Sequence, residues 1–276
     1  MKKQPTLALL ALSLLLSCSK NPEKRVITEP ESPVWGESFK VLYLKGASEQ
    51  LPQRVFLVAR FYFDKYDSSI VIEMERKDTI FSREISVPEK SNLIQIKFVT
   101  DEGKDDLGKG MGWLFPVKKN SEELSPGALR TLGEVYERGM GWEEGNREKA
   151  REIYKRALRE NPDDPLLLED ILRLKLDEKD DPELRDSARS LADLLLNKED
   201  ANSVYAAIAL FTVLKDTEKI REASTKFLSL FSEDKRAPEV DLSLAFLVKP
   251  KSNEEWKEKI ETFYRKYPNY LSLIHI

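Results

Sequence analysis

The sequence predicts an all-β sandwich followed by an all-α array of helical hairpins, because the spacing of its apolar residues changes once along the chain. Between residues 34 and 119, apolar and polar residues alternate within short runs, which is the period of a half-buried strand. After Asn120 the apolar residues recur every three to four positions, as on one face of a helix, to about residue 270. We therefore predict a sheet domain over 34–119 and a helical domain over 124–270.

The strand pattern of the first domain begins with Phe39, Val41 and Tyr43, which alternate with Ser38, Lys40 and Leu42. The segment Arg54–Phe63 is apolar on both faces, as expected for a central strand. Six or seven such runs, separated by turn residues, fit within about 85 residues. Strands of this length and spacing are typical of an immunoglobulin-like β-sandwich.

Three features of this domain allow a functional interpretation beside a structural one. The glycines of Gly108-Lys-Gly-Met-Gly112 lack the spacing of a phosphate-binding loop and precede a strand, so we predict a turn. The acidic segment Asp101–Asp106 does not match a calcium loop and is predicted to be a hairpin tip. Aromatic residues in strands usually belong to the core, but Trp35, Tyr62 and Trp113 also leave sugar stacking open.

The helical domain opens with a motif of small and aromatic residues. Leu132-Gly133-x-x-Tyr136 is followed by Ala150-x-x-x-Tyr154-x-x-Ala157 and then by Pro162. This pattern resembles a tetratricopeptide repeat, in which small residues lie where two antiparallel helices touch and a proline ends the second helix. The resemblance implies a stack of helical hairpins with a partner-binding groove lined by the first helix of each hairpin.

The residue pattern of the motif's second helix recurs three times, and each recurrence matches the motif less closely. Its first positions are Ala150, Ala188, Ala223 and Trp256, at offsets of 38, 35 and 33 residues, close to the family repeat of about 34. The predicted first helices of the later hairpins cover Leu166–Leu176, Ser203–Leu214 and Glu239–Val248. In the first hairpin, the resemblance places four charged residues in the groove as candidate partner-binding residues: Arg130, Glu134, Glu137 and Arg138. The alternative for each is an ordinary solvated surface charge.

The amino terminus has the features of a secretion leader. Lys2 and Lys3 precede the apolar run Leu7–Leu16, which has the length of a signal-peptide core and is too short to span a bilayer. The run ends in Leu15-Leu16-Ser17-Cys18, which resembles the lipobox of bacterial lipoproteins.

The lipobox resemblance implies a membrane anchor. Residues 1–17 would be removed as a signal peptide, and Cys18 would become the lipidated first residue of the mature protein. The polar, proline-containing residues 18–33 would then form a flexible tether. Because Ser19 instead of aspartate follows the cysteine, the resemblance implies the outer membrane, with the protein facing the periplasm of a bacterial cell envelope.

Composition excludes several classes of function. The net charge of −4 and the pI near 5.5 argue against nucleic-acid binding, which needs clustered positive charge. With one His and one Cys, the chain cannot supply zinc sites of the Cys/His kind, and its composition leaves little basis for a Ser-His-Asp triad or a Cys-His dyad. We predict no catalytic residue, no metal site and no cofactor.

These observations favour a non-catalytic, lipid-anchored envelope scaffold that binds a protein partner. Lipobox, sandwich and repeats in this order also resemble the N-terminal part of lipoproteins that continue into a thioredoxin-like domain. A first alternative is therefore the accessory part of a truncated thiol-disulfide oxidoreductase, and we expect the apolar residues 271–276 to be a non-native tail. A second alternative is a glycan-binding lipoprotein that uses the sandwich aromatics.

Overall fold

The computed structural model describes residues 25–44, 51–64, 66–106, 110–139, 145–179, 181–247, 250–268 and 270. Antiparallel sheets occupy the N-terminal part of the chain and helices the remainder, so the predicted change from strands to helices is confirmed. Contacts divide the chain into two compact units, Met1–Ala150 and Arg151–Ile276. The expected tail over 271–276 lies outside the described residues.

Nine strands form two antiparallel sheets within the described part of the first unit. The first sheet has the order β1-β2-β6-β5, and the second has the order β4-β3-β7-β8, with β9 also pairing with β7. The strands are β1 Val26–Glu29, β2 Ser38–Leu44, β3 Val55–Tyr62, β4 Asp67–Glu73, β5 Glu75–Lys77, β6 Ile80–Ser86, β7 Leu93–Thr100, β8 Asp105–Asp106 and β9 Trp113–Pro116.

The inner faces of the two sheets share one hydrophobic core. Phe39 and Val41 of β2 are fully buried together with Leu57 of β3 and Ile96 of β7. Tyr43 of the first sheet stacks on Phe98 of the second, with ring centroids 4.1 Å apart. Alternate residues of β2 and β3 therefore supply the core, as the period of two predicts.

The structure corrects the predicted extent of the tether. Residues Val26–Glu29 form β1, which pairs with β2 in the register Val26↔Tyr43 to Glu29↔Lys40. Val26 also packs against the core between the sheets. The polar composition of 18–33 conceals this strand, because Val26 and Ile27 are its only apolar residues and do not establish an alternating pattern.

The first helix of the described ranges belongs to the sheet unit, which moves the boundary away from residue 120. Helix α1, Ala128–Arg138, packs on β9 and β7. Its residues Leu132 and Val135 join a small apolar cluster with Leu93 and Leu114 of these strands. Helix α2, Arg147–Glu160, crosses the division at Ala150.

Six further helices are described in the second unit: α3 Pro165–Glu178, α4 Pro182–Leu196, α5 Ala201–Leu214, α6 Thr217–Leu230, α7 Ala237–Ala245 and α8 Asn253–Lys266. Side-chain caps define most of their starts. Asp164, Asp181, Asp200 and Asp216 each accept a backbone N–H in the first turn, and Ser252 does the same for α8. These caps satisfy donors that a helix start leaves without intrahelical partners.

Helix α5 is the centre of the second unit. It packs against α3, α4 and α6, and it is apolar around most of its circumference because neighbours cover several of its sides. The predicted helices over Leu166–Leu176 and Ser203–Leu214 correspond to α3 and α5, whereas Glu239–Val248 is the shorter α7.

The predicted recurrence of buried positions holds until the last hairpin. Ala150, Ala188 and Ala223 are fully buried in α2, α4 and α6. Trp256 of α8, in contrast, is 48% exposed and rests on Phe246, with ring centroids 4.8 Å apart. A large ring does not fit where the earlier alanines lie between helices, so the expected equivalence fails at this position.

Candidate functional site

The predicted lipidation site, Cys18, lies outside the described residues, as does the whole leader, and it stays a prediction. Among the helices of the described ranges, none has both the length and the apolar character needed to cross a bilayer.

A buried arginine joins α1 to the second sheet. Arg130 is only 1% exposed, and its guanidinium donates to the carboxylate of Asp64, in the turn after β3. Its other terminal nitrogen, Nη1, donates to Glu134 Oε1 at 3.3 Å, one turn further along α1. Two carboxylates therefore compensate the charge of a guanidinium that is shielded from water.

Asn92 extends this network to the start of α1. Its Nδ2 donates to Asp64 Oδ1 at 2.9 Å, and its Oδ1 accepts a hydrogen bond of 2.9 Å from Ser125 Oγ. A side chain on Gly127 would place its Cβ 2.4 Å from Asn92 Nδ2. Glycine at the N-terminal end of α1 therefore lets the backbone approach the asparagine closely.

These contacts correct the interpretation of the four predicted groove residues. Arg130 is interior, and Glu137 is only 8% exposed, so neither presents its side chain as an open groove residue would. Glu134 is partly buried and paired with Arg130, while Arg138 at the end of α1 is exposed. Partner binding stays a prediction and depends mainly on Arg138.

The sandwich aromatics are held by contacts within the protein. Trp35 Nε1 donates to the carbonyl of Ser91 at 2.6 Å, and Tyr62 Oη donates to Gln95 Oε1 at 2.5 Å. Burial raises the pKa of Tyr62, because its ionised form would lose hydration. Trp113 is half-buried against the core. Trp35 and Tyr62 are therefore arranged as residues whose polar atoms are hydrogen-bonded within the protein.

The acidic hairpin and the glycine segment also have structural roles. Asp106 accepts from Tyr43 Oη at 2.7 Å, and Asp105 pairs with Lys97 Nζ at 2.9 Å. Within the described ranges, no group of three potential metal ligands occurs. Gly112 has a φ of 72°, and a Cβ there would lie 2.4 Å from the carbonyl oxygen of Ile96, so β9 pairs tightly with β7 at this point. Gly108 lies outside the described residues.

A second buried arginine organises the helical unit. Arg236 is 5% exposed and forms two hydrogen bonds with the Asp234 carboxylate, at 2.8 and 2.7 Å, and a third with Asn202 Oδ1 at 2.9 Å. Its guanidinium lies over the rings of Tyr205, at 4.9 Å, and Phe227, at 5.7 Å. Burial opposes ionisation of Asp234, but the hydrogen bonds and charge of Arg236 lower its pKa overall.

Two ion pairs frame the outer face of the second sheet. Arg54 forms a bidentate pair with Glu73 at 2.7 and 2.6 Å, and Arg60 Nε donates to Asp67 at 2.6 Å. The hydrogen bonds from Arg54 lower the pKa of Glu73. Between these pairs Val71 is 61% exposed.

Sequence reasoning missed both arginine networks, since a charged residue in an amphipathic pattern is ordinarily assigned to the solvated face. A signal was present only for Arg236, which lies two residues after Asp234, next to the start of α7.

No protein-family model, curated protein or solved structure matches this chain.

Proposed function

We propose that this protein is a lipid-anchored scaffold of the bacterial cell envelope that binds another protein without catalysing a reaction. The proposal rests on the leader, in which Lys2 and Lys3, a short apolar run and Leu-Ser-Cys18 follow one another at lipoprotein spacing. A multiply acylated cysteine anchors a folded body stably, because more than one chain enters the membrane.

The body would consist of an immunoglobulin-like sandwich and tetratricopeptide-like repeats. Support for the repeats comes from the full burial of Ala150, Ala188 and Ala223 at repeat-like offsets. In addition, α3 packs against α5, the next helix but one, as the first helices of neighbouring hairpins do in a stacked array. Such arrays present extended surfaces for protein partners.

The glycan-binding alternative has less support than this proposal. Tyr62 is buried, and Trp35 is partly buried against the sandwich core, with its indole N–H donating to a backbone carbonyl, so contacts within the protein already hold both rings. The oxidoreductase alternative depends on residues that this sequence does not contain, since Cys18 is its only cysteine.

The anchor is tested by replacing the acceptor cysteine in the full-length chain. Cys18→Ala is expected to abolish incorporation of a labelled fatty acid and to move the protein from the detergent phase to the aqueous phase, or to leave it unprocessed. Ser17→Ala is the matched control, because it keeps a small residue before the cysteine and should be labelled normally. Labelling and membrane partition of Cys18→Ala equal to wild type would refute the proposal.

A further inference from the structure

Strand β4 lies at the edge of the second sheet as far as the described residues extend. It pairs with β3 on one side, and among the described strands none pairs with its other side. Phe63 N–H donates to the Tyr66 carbonyl and Met74 N–H to the Val55 carbonyl, both at 2.8 Å, at the two ends of this pairing. Even-numbered residues of β4 therefore direct their backbone groups toward β3.

The odd-numbered residues of β4 consequently direct their N–H and C=O groups outward. These residues are Asp67, Ser69, Val71 and Glu73. The backbone groups of these four residues could therefore form hydrogen bonds with an additional antiparallel strand on the side of β4 opposite β3.

The other strands at the sheet edges have stronger features that discourage such pairing than β4, whose charged residues are confined to its two ends, Asp67 and Glu73. Pro30 follows β1, and β5 consists of three charged residues, Glu75–Lys77. In the second sheet, β8 has only two residues and β9 ends in Pro116. Natural edge strands use shortness, charge and proline in this way to prevent edge-to-edge association. The sequence of β4, Asp-Ser-Ser-Ile-Val-Ile-Glu, has seven residues and contains neither lysine nor proline.

The sequence of β4 is also compatible with itself in an antiparallel arrangement. A two-fold axis at Ile70 pairs Ser69 with Val71 of a second copy and Asp67 with Glu73 of that copy. All four outward-facing residues are then hydrogen-bonded on both strands, whereas a shift of the axis by one residue leaves one of them unpaired.

Charge does not prevent this register. The acidic side chains that come into opposition are Asp67 and Glu73, and each already has an arginine partner, Arg60 or Arg54, within its own chain. The Arg60–Asp67 pair of one copy would therefore lie opposite the Arg54–Glu73 pair of the other copy, and the two positive charges would balance the two negative charges. The half-buried Ile70 would face its own copy and lose its remaining exposure.

We propose that β4 is the contact strand of a homodimer, in which two copies pair antiparallel about a two-fold axis at Ile70. The occupant is a second copy because a two-fold axis at this residue satisfies the whole exposed edge without any other sequence. The second sheet of one copy would continue into the second sheet of the other copy.

Disulfide cross-linking tests the register directly in the full chain. Directly opposed residues of a non-hydrogen-bonded pair have Cα atoms about 4.5 Å apart, within the range of about 4.4–6.8 Å that a disulfide needs. Ile70→Cys should therefore form a covalent dimer under mild oxidation. Val71→Cys is the matched control, since position 71 faces position 69 of the other copy and lies too far from its own equivalent.

The two variants separate pairing from random collision. Val71 is the more exposed residue, so collision alone would cross-link Val71→Cys faster. We expect Ile70→Cys to cross-link about tenfold faster, because pairing holds the two positions together. Equal rates, or a faster rate for Val71→Cys, would overturn the proposal. The wild-type chain measures any background from Cys18, so a failure of the lipid anchor is seen separately.

A proline substitution provides a second test that does not need a cysteine. Val71→Pro removes one outward N–H and keeps the hydrogen bonds to β3, whereas Val71→Thr keeps both the N–H and the β-branch. Val71→Pro should convert the dimer to a monomer in sedimentation of the detergent-solubilised protein, and Val71→Thr should stay dimeric. A monomeric wild type, or a dimer that survives Val71→Pro in a folded protein, would contradict the proposal.

Discussion

Replacement of Arg236 by methionine is expected to destabilise the helical unit strongly. The guanidinium bridges three elements: it binds Asp234 before α7, Asn202 in α5 and the ring of Phe227 in α6. Methionine fills much of the same space without a charge or a hydrogen-bond donor. The substitution therefore separates the polar contribution of Arg236 from its packing.

The size of the effect follows from the exposure of the partners. Removing one member of a buried ion pair costs about 3–5 kcal/mol, because the other charge is left without compensation. Asp234 retains 21% of its side-chain exposure and can regain some hydration, so the lower end of that range applies. We expect a loss of about 3 kcal/mol in the free energy of unfolding, or about 1.5 M in urea midpoint at a slope of about 2 kcal/mol per M.

The assay is urea unfolding of the full chain, followed by far-UV circular dichroism, to which the helices contribute most of the signal. Arg221→Met in α6 is the matched control, since Arg221 is exposed and its replacement should change the free energy by less than about 0.5 kcal/mol. Equal midpoints for Arg236→Met and Arg221→Met would refute the assignment of Arg236 as a stabilising centre.

Two further predictions concern the same buried polar groups. Gly127→Ala should lower the free energy of unfolding by about 1–3 kcal/mol, because the new Cβ would overlap the Asn92 side chain. The loss should be smaller in an Asn92→Ser background, and equal losses in both backgrounds would contradict the steric explanation. The lowered pKa of Asp234 stabilises the folded state above its ordinary pKa of 3.8, and this stability is lost as the pH falls through the lower folded-state value. Asp234→Asn should therefore flatten the acid side of the stability profile measured by urea titration, and profiles parallel to wild type would exclude the linkage.

Hydrophobic periodicity predicts the elements whose cores depend on simple alternation. Phe39 and Val41 are buried on alternate positions of β2, and Ala188 and Ala223 are buried at the expected offsets in the helices. In these elements a single face meets the core, so local sequence contains the necessary information. The same reasoning did not detect β1, because a short edge strand has too few apolar residues to establish a period.

The predicted partner-binding residues illustrate what local sequence cannot contain. Arg130 is buried because Asp64, sixty-six positions earlier in the chain, turns toward it after β3. Nothing in the spacing of α1 distinguishes this arginine from an exposed one such as Arg138. Burial of a charged group depends on a partner that tertiary structure supplies, and periodicity describes only the chain segment itself.

The proposed dimer and the proposed anchor impose a common orientation. Antiparallel pairing of two edge strands would place the two-fold axis perpendicular to the sheet, and the two anchors would enter one membrane symmetrically when that axis is also perpendicular to the membrane. If both proposals hold, the sheets would lie parallel to the bilayer. Because β1, the described strand nearest Cys18 in sequence, belongs to the first sheet, that sheet would face the lipid in such an arrangement. The opposite face, which carries Val71 between the Arg54 and Arg60 ion pairs, would then point away from the membrane, where the proposed partner could contact it.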